Sequence, residues 1–240
     1  MTGVKRGNIN KDINCDINGQ IIGNITGSIG GDINGEVTGN IDGNGGSIGA
    51  ILGPFKGNIN NVTIGDISTT FDGNISNAII GDIIGKFNGN ISNSTIKAIN
   101  ANFNGIVSNT TIGLVSGNFK GSINNSTIKT ISGIFNGDII SSHIEDIHGT
   151  FDGTMISSVI NGSIGGDLNM RSTTGVIHGE IRDFSGHLSF IDGQFDVCNT
   201  NHRGKISLIN SLYIDTCCSN ANIDCHNCNI QRSNCPTDMP

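Results

Sequence analysis

The residues best suited to chemistry are the cysteines, six of which lie close to the end of the chain. An even number of thiols in a short segment is typical of a disulfide-stapled module, and six cysteines allow fifteen pairings. The alternatives are free thiols and a zinc site, in which a CxxC pair and two more thiolates would complete a tetrahedral set. The disulfide candidates are Cys198, Cys217, Cys218, Cys225, Cys228 and Cys235, and the zinc candidates are Cys217, Cys225, Cys228 and Cys235.

The seventh cysteine, Cys15, stands apart in a segment of four-residue repeats. It takes a place that glycine occupies in neighbouring repeats, halfway between Ile13 and Ile17. In an extended chain, residues two apart point to the same side. We therefore expect Cys15 to be a small core residue.

The outward carboxylates do not gather into the acidic pair that polysaccharide-cleaving enzymes use. The densest polar stretch is residues 143–148 (HIEDIH), which a solvated corner explains better than a catalytic or metal site. We therefore predict a non-enzymatic protein without a cofactor. The acids recur in two separate columns, Asp66, Asp82 and Asp146 in one and Asp72 and Asp152 in the other.

A repeat of sixteen residues must position these side chains. Phenylalanine returns at this interval from Phe55 to Phe151, with glycine two positions later and Ile, Val or Met four positions later. Alternating inward residues are typical of strands, and identical units without insertion indicate stacked coils. We predict an all-β fold, a parallel β-solenoid (β-helix) with sixteen-residue three-sided coils and an irregular β C-terminal cap or head. The repeated phenylalanines are Phe55, Phe71, Phe87, Phe103, Phe119, Phe135 and Phe151.

The seventh position of this repeat is Asn in the first five units and Ser in the last two. Asn tolerates the left-handed backbone conformation of a tight corner, and stacked amides can hydrogen-bond along a column. We predict both properties here. A threonine column at the ninth position suggests ordering of water, but Ile79, His143 and Val159 interrupt it and argue against an ice-binding face. The asparagines are Asn61, Asn77, Asn93, Asn109 and Asn125.

A shorter repeat, G-x-I-x, fills residues 7–46, with an apolar residue at every fourth position from Ile9 to Ile41. Two interpretations are open. Four tetrads wind as one sixteen-residue coil, or three chains wrap around each other and share the Ile stripe. The predicted domains are a tetrapeptide-repeat shaft at 1–46, the sixteen-residue-repeat solenoid at 47–166, an irregular β continuation at 167–197 and a Cys-rich cap or head at 198–240.

The charge and hydropathy of the chain argue against two classes of binding partner, nucleic acids and membranes. The formal net charge is −7 and no basic run is present, which argues against nucleic acid. No apolar stretch approaches the ~20 residues that cross a bilayer, so we expect no membrane span. The first residues lack the apolar core of a secretory signal, so we expect no signal peptide.

The tetrads GNIT, GSIG, GDIN, GEVT and GNID resemble the shaft repeats of virus and phage tail-fibre and spike proteins. They also resemble bactofilins, whose polymerising core is a short-coil β-helix. The first resemblance implies a homotrimer or end-to-end polymer in a virion or extracellular surface assembly, with other virion or surface proteins as further partners and a C-terminal attachment module. The alternatives are a bactofilin-like filament in the cytoplasm and a polysaccharide-binding or -cleaving β-helix.

Overall fold

The computed structural model describes residues 1–191, 194–200, 205–209, 211–215 and 223–232. The chain divides into two compact units, Met1–Gly121 and Ser122–Pro240. Every regular element in the described residues is a β-strand. None of them belongs to a helix of the length and apolarity that a membrane crossing needs.

The strands of the first unit are short in the tetrad segment and lengthen after it. They are β1 (Val4–Arg6), β2 (Gln20–Ile22), β3 (Ile25–Thr26), β4 (Val37–Thr38), β5 (Ile41–Asp42), β6 (Ser47–Ile48), β7 (Phe55–Lys56), β8 (Ile59–Ile64), β9 (Ile67–Asp72), β10 (Ile75–Asn88), β11 (Ile91–Ser92), β12 (Thr95–Ser108) and β13 (Thr111–Val115).

The chain enters the second unit within a strand. The remaining strands are β14 (Asn118–Asn124), β15 (Thr127–Ile131), β16 (Ile134–Ile140), β17 (His143–Ile147), β18 (Thr150–Ile156), β19 (Val159–Ile160), β20 (Ser163–Thr173), β21 (Val176–Ile191), β22 (Gln194–Thr200), β23 (Lys205–Ile209), β24 (Leu212–Asp215), β25 (Ile223–His226) and β26 (Asn229–Arg232).

The tetrads of the first unit wind as coils of their own chain. Ile9 lies beside Ile25 in parallel register, and the next tetrads pair in the same way, sixteen residues apart. Every apolar residue of the stripe is at most 5% exposed. The Ile stripe therefore closes on its own chain and not on partner chains. The coil interpretation, in which four tetrads make one turn, is correct.

The sixteen-residue repeat continues the same four inward columns. Val37 pairs with Phe55, and Ile41 pairs with Ile59, so the stack passes from one repeat type to the other without a break. The step there is eighteen residues instead of sixteen. The surplus residues lie in a turn at residues 43–46, where Gly46 N donates to Gly43 O at 2.7 Å.

The second unit is also a parallel β-solenoid, but its turns vary between sixteen and eighteen residues. Phe135 pairs with Phe151 at sixteen residues, and Phe151 pairs with Leu168 at seventeen. Leu188 pairs with Ile206 at eighteen. Leu168, Leu188 and Ile206 are all fully buried. Parallel stacking persists to β26, so the irregular β continuation predicted after residue 167 keeps the coil.

Candidate functional site

The seven repeated phenylalanines, which we name the phenylalanine column, are each at most 1% exposed, five of them in the first unit and two in the second. In the first unit the rings of Phe71 and Phe87 stack with centroids 4.8 Å apart and planes within 2°. Phe135 and Phe151 stack in the second unit at 5.0 Å. A buried apolar side chain of this size stabilises the fold by about 1.5–3 kcal/mol. The column is core and presents nothing to a ligand.

The asparagine column forms a tight corner of the coil. Its members have φ between 47° and 55°, in the left-handed region that Asn tolerates. The predicted backbone conformation is therefore present. The column comprises Asn61, Asn77, Asn93 and Asn109 in the first unit and Asn125 in the second, where Ser141, Ser157 and Thr174 have φ between 48° and 53°.

The side chains of this column are exposed, and their hydrogen bonds differ along it. Asn109 Nδ2 donates to Asn93 Oδ1 at 3.3 Å, which is the predicted bond along the stack. Asn77 Nδ2 instead donates to Asn60 Oδ1 at 2.8 Å, one residue out of register. The amides therefore lie on the surface of the corner, and other groups must stabilise the corner.

Those groups are buried hydroxyls at the next position, which we name the hydroxyl column and which sequence reasoning missed. Ser158 Oγ accepts from the backbone N–H of Ser142 at 3.1 Å and donates to Ile156 O at 2.9 Å. Each hydroxyl thus satisfies a backbone group that the left-handed corner removes from the ladder. The column comprises Ser94 and Thr110 in the first unit and Ser126, Ser142 and Ser158 in the second, each at most 7% exposed.

A sequence signal for this column exists. The eighth position of the repeat holds small or hydroxyl-bearing residues, beginning with Val62 and Ala78. The carbonyl that Ser142 Oγ reaches lies only two residues earlier, on Ile140, at 2.8 Å. Short-range side-chain bonds of this kind are characteristic of Ser and Thr next to a turn.

A second corner is formed by glycine and by the Asn that follows it. A Cβ built on Gly73 would overlap the carbonyl oxygen of Gly57, one turn earlier. Beside this close contact, Asn58 Oδ1 accepts from the backbone N–H of Asn74 at 2.9 Å, and Asn74 Oδ1 does the same for Asn90. These amide oxygens hold successive turns together.

The outward carboxylates serve the same structural purpose. Asp66 Oδ1 accepts from the backbone N–H of Asp82 at 2.7 Å. Asp82 Oδ2 pairs with Lys97 at 3.1 Å, and Asp72 accepts from Asn88 Nδ2 at 2.6 Å. Because Asp66 and Asp72 belong to different columns, the acids do not converge on one point.

Ser163 lies between two side chains of the polar stretch at 143–148, the carboxylate of Asp146 and the imidazole of His148. Ser163 Oγ lies 2.9 Å from Asp146 Oδ1 and 3.2 Å from His148 Nε2. In a catalytic triad the carboxylate orients the histidine, and the histidine contacts the serine. Here the hydroxyl and the backbone N–H of Ser163 both donate to Asp146, and the N–H does so at 2.7 Å. The carboxylate thus joins turns and does not orient His148.

The cysteine predictions have three outcomes. A disulfide joins Cys225 to Cys228, which is one of the pairings that the sequence left open. Cys15 is exposed, so the prediction that it is a core residue is wrong. The chain bends at every tetrad, and the residue halfway between two isoleucines therefore lies at a corner. The prediction for Cys217, Cys218, Cys235 and the side chain of Cys198 falls outside the described residues.

A shallow groove of about 570 Å³ follows the asparagine corner over three turns of the first unit. We name it the corner groove. The described residues contain no group of three His, Cys, Asp or Glu side chains that could hold a metal ion. The groove is lined instead by uncharged groups: Asn77, Ala78, Ile79, Asn93, Ser94, Thr95, Asn109 and Thr111.

Comparison of the chain with protein-family models, with curated proteins and with solved structures found no match.

Proposed function

We propose that the chain is a non-enzymatic structural protein, a β-solenoid rod in a virion fibre, spike or similar surface assembly. The observation that carries this proposal is the continuity of the four inward columns through two different repeats. Val37 and Phe55 share one column, and both are fully buried. A chain that preserves its core while its outward residues vary is suited to setting length and stiffness.

The use of the outward polar groups supports the same proposal. Asn58, Asp66 and Asp146 each accept a backbone N–H from the following turn. Side chains with the chemistry for catalysis are thus engaged in joining the coils. A structural role requires such bonds, and it does not require an open catalytic cleft.

Self-association belongs to this proposal. A fibre or spike assembles as a homotrimer or end to end, with further surface proteins attached. Such an assembly places the chain on a virion or an extracellular surface. The resemblance to bactofilins supports the second candidate, a cytoplasmic filament built from the same coils.

Electron microscopy of the purified chain, with its mass measured by light scattering, tests the proposal. A fibre or spike component gives short particles of uniform length and fixed subunit number. Filaments of indefinite length would replace the first candidate with the second. Globular particles without elongation would contradict both.

A further inference from the structure

We propose that the corner groove binds a neutral, extended glycan. The floor of the groove is formed by Ala78 and Ser94, which are 4% and 7% exposed. One wall is the asparagine column, and the other is the ninth-position column that contains Ile79, Thr95 and Thr111. The inference does not depend on the proposed structural role.

The hydrogen-bonding capacity of the groove lies in its walls. Ser94 Oγ is already satisfied, since it accepts from Ala78 N at 3.1 Å and donates to Ser92 O at 2.7 Å. The exposed hydroxyls of Thr95 and Thr111 have no hydrogen-bond partner among the described residues. On the asparagine wall, the Nδ2 groups of Asn77 and Asn109 already donate to Asn60 and Asn93, so a ligand would meet Asn93 Nδ2 and the Oδ1 atoms of Asn77 and Asn109.

The chemistry of the lining selects the class of ligand. No charged side chain lines the groove, which disfavours nucleic acids and acidic polysaccharides, since both require cations. The backbone of the ninth-position column is already paired between turns, at Ile79 with Thr95 and at Thr95 with Thr111. No free strand edge is left there for a peptide to extend.

A sugar chain has what the groove can recognise. The hydroxyls around each sugar ring can hydrogen-bond to the amides and hydroxyls of the walls. The apolar C–H faces of the rings can pack against a side chain such as Ile79, which is 59% exposed. The wall groups repeat at the spacing of the turns, which the stacked rings of Phe71, Phe87 and Phe103 give as 4.8–4.9 Å. One ring of an extended glycan advances by a similar length, so each successive ring meets one turn and one Asn of the asparagine wall.

NMR titration of the full chain with cellohexaose, chitohexaose and maltohexaose tests this inference. The readout is the side-chain amide resonances of Asn93 and Asn109. We expect cellohexaose or chitohexaose to shift them in a saturable manner. Maltohexaose, whose chain coils, should bind at least about tenfold more weakly, a difference of about 1.4 kcal/mol. If neither extended glycan shifted these resonances, or if maltohexaose bound equally well, the proposal would be overturned.

Matched variants locate the site. Thr95→Val removes one wall hydroxyl while keeping the branched shape, and it should weaken binding about threefold to tenfold. Asn109→Gly removes an amide while keeping a residue that accepts positive φ, and it should weaken binding similarly. Thr63→Val makes the first change in the same column but outside the groove, so it should leave affinity unchanged. Equal losses in Thr63→Val and Thr95→Val would contradict the assignment.

Discussion

Val37 and Phe55 are parallel neighbours in one inward column, although eighteen residues separate them in the chain. The first belongs to the tetrads and the second to the sixteen-residue repeat, and both are fully buried. The two repeats are therefore two ways to fill one coil. The spacing of inward residues changes from four throughout to four, five, three and four, as read from Phe55, Ile59, Ile64, Ile67 and Phe71.

Removal of one ring from the phenylalanine column should be costly because its neighbours stack on both sides. Phe87 lies 4.8 Å from the Phe71 ring and 4.9 Å from the Phe103 ring. Phe87→Ala should lower the free energy of unfolding by about 3–5 kcal/mol, as cavities of this size do. Urea denaturation followed by circular dichroism measures the loss. Phe87→Leu serves as the milder comparison, and a loss as large as that of alanine would contradict a simple cavity effect.

The hydroxyl column predicts a large effect from a single oxygen. Ser142→Ala leaves the buried N–H of Ser126 without its acceptor, at present 3.1 Å away. The free energy of unfolding should fall by about 1–3 kcal/mol. Ser142→Thr should be tolerated, since Thr110 occupies the equivalent place in another turn.

The matched control for this change is Ser132→Ala, at an exposed position of the same unit. A surface substitution of this kind should alter stability by no more than about 0.5 kcal/mol. Equal losses at Ser132 and Ser142 in the same denaturation experiment would show that the hydroxyl column carries no special role.

Sequence reasoning found the core because apolar spacing reports directly on which residues face inward. One interval of sixteen residues between phenylalanines equals four intervals of four residues between isoleucines. Both repeats therefore predict the same turn length, which stacked coils must share. The hydroxyl column was missed because Ser and Thr are common on surfaces, and burial of Ser94 follows only from the corner at Asn93. Cys15 was misplaced because a strand pattern was extended across a bend.

Two glycines with positive φ, one at the glycine corner and one in the turn at 43–46, differ in the space around them. At Gly73 an added Cβ would overlap the carbonyl oxygen of Gly57, and φ is +155°. Gly73→Ala should therefore destabilise by more than about 3 kcal/mol, beyond the usual range for one substitution. Gly45 has φ +78° but open space around it, so Gly45→Ala should cost only about 1–2 kcal/mol. Thermal unfolding of both variants provides the comparison, and equal losses would contradict it.

The asparagine corner predicts a stabilising substitution. Ser141 has φ +50°, a conformation that Ser accepts less readily than Asn. Ser141→Asn should raise the free energy of unfolding by about 0.5–1 kcal/mol, within the range of backbone-compatible changes. Ser141→Val should lower it, because a branched side chain is an outlier at positive φ. Urea midpoints rank the variants, and a Val variant more stable than Asn would contradict the assigned corner.

The central claim is that the tetrads coil on their own chain with sixteen residues per turn, and one cross-link tests it. Asn10 and Thr26 are exposed and adjoin the paired residues Ile9 and Ile25. Parallel neighbours lie at about 4.8 Å, within the Cα range of 4.4–6.8 Å for disulfides. Cysteines at both positions, in a Cys15→Ser background, should therefore link under mild oxidation.

Non-reducing mass spectrometry reads the outcome. The coil predicts a monomer in which one disulfide joins positions 10 and 26, and no link when the second cysteine replaces Asn18, half a turn away. Disulfide-linked dimers or trimers joined through positions 10 and 26 would contradict the coil and show that the Ile stripe lies between chains.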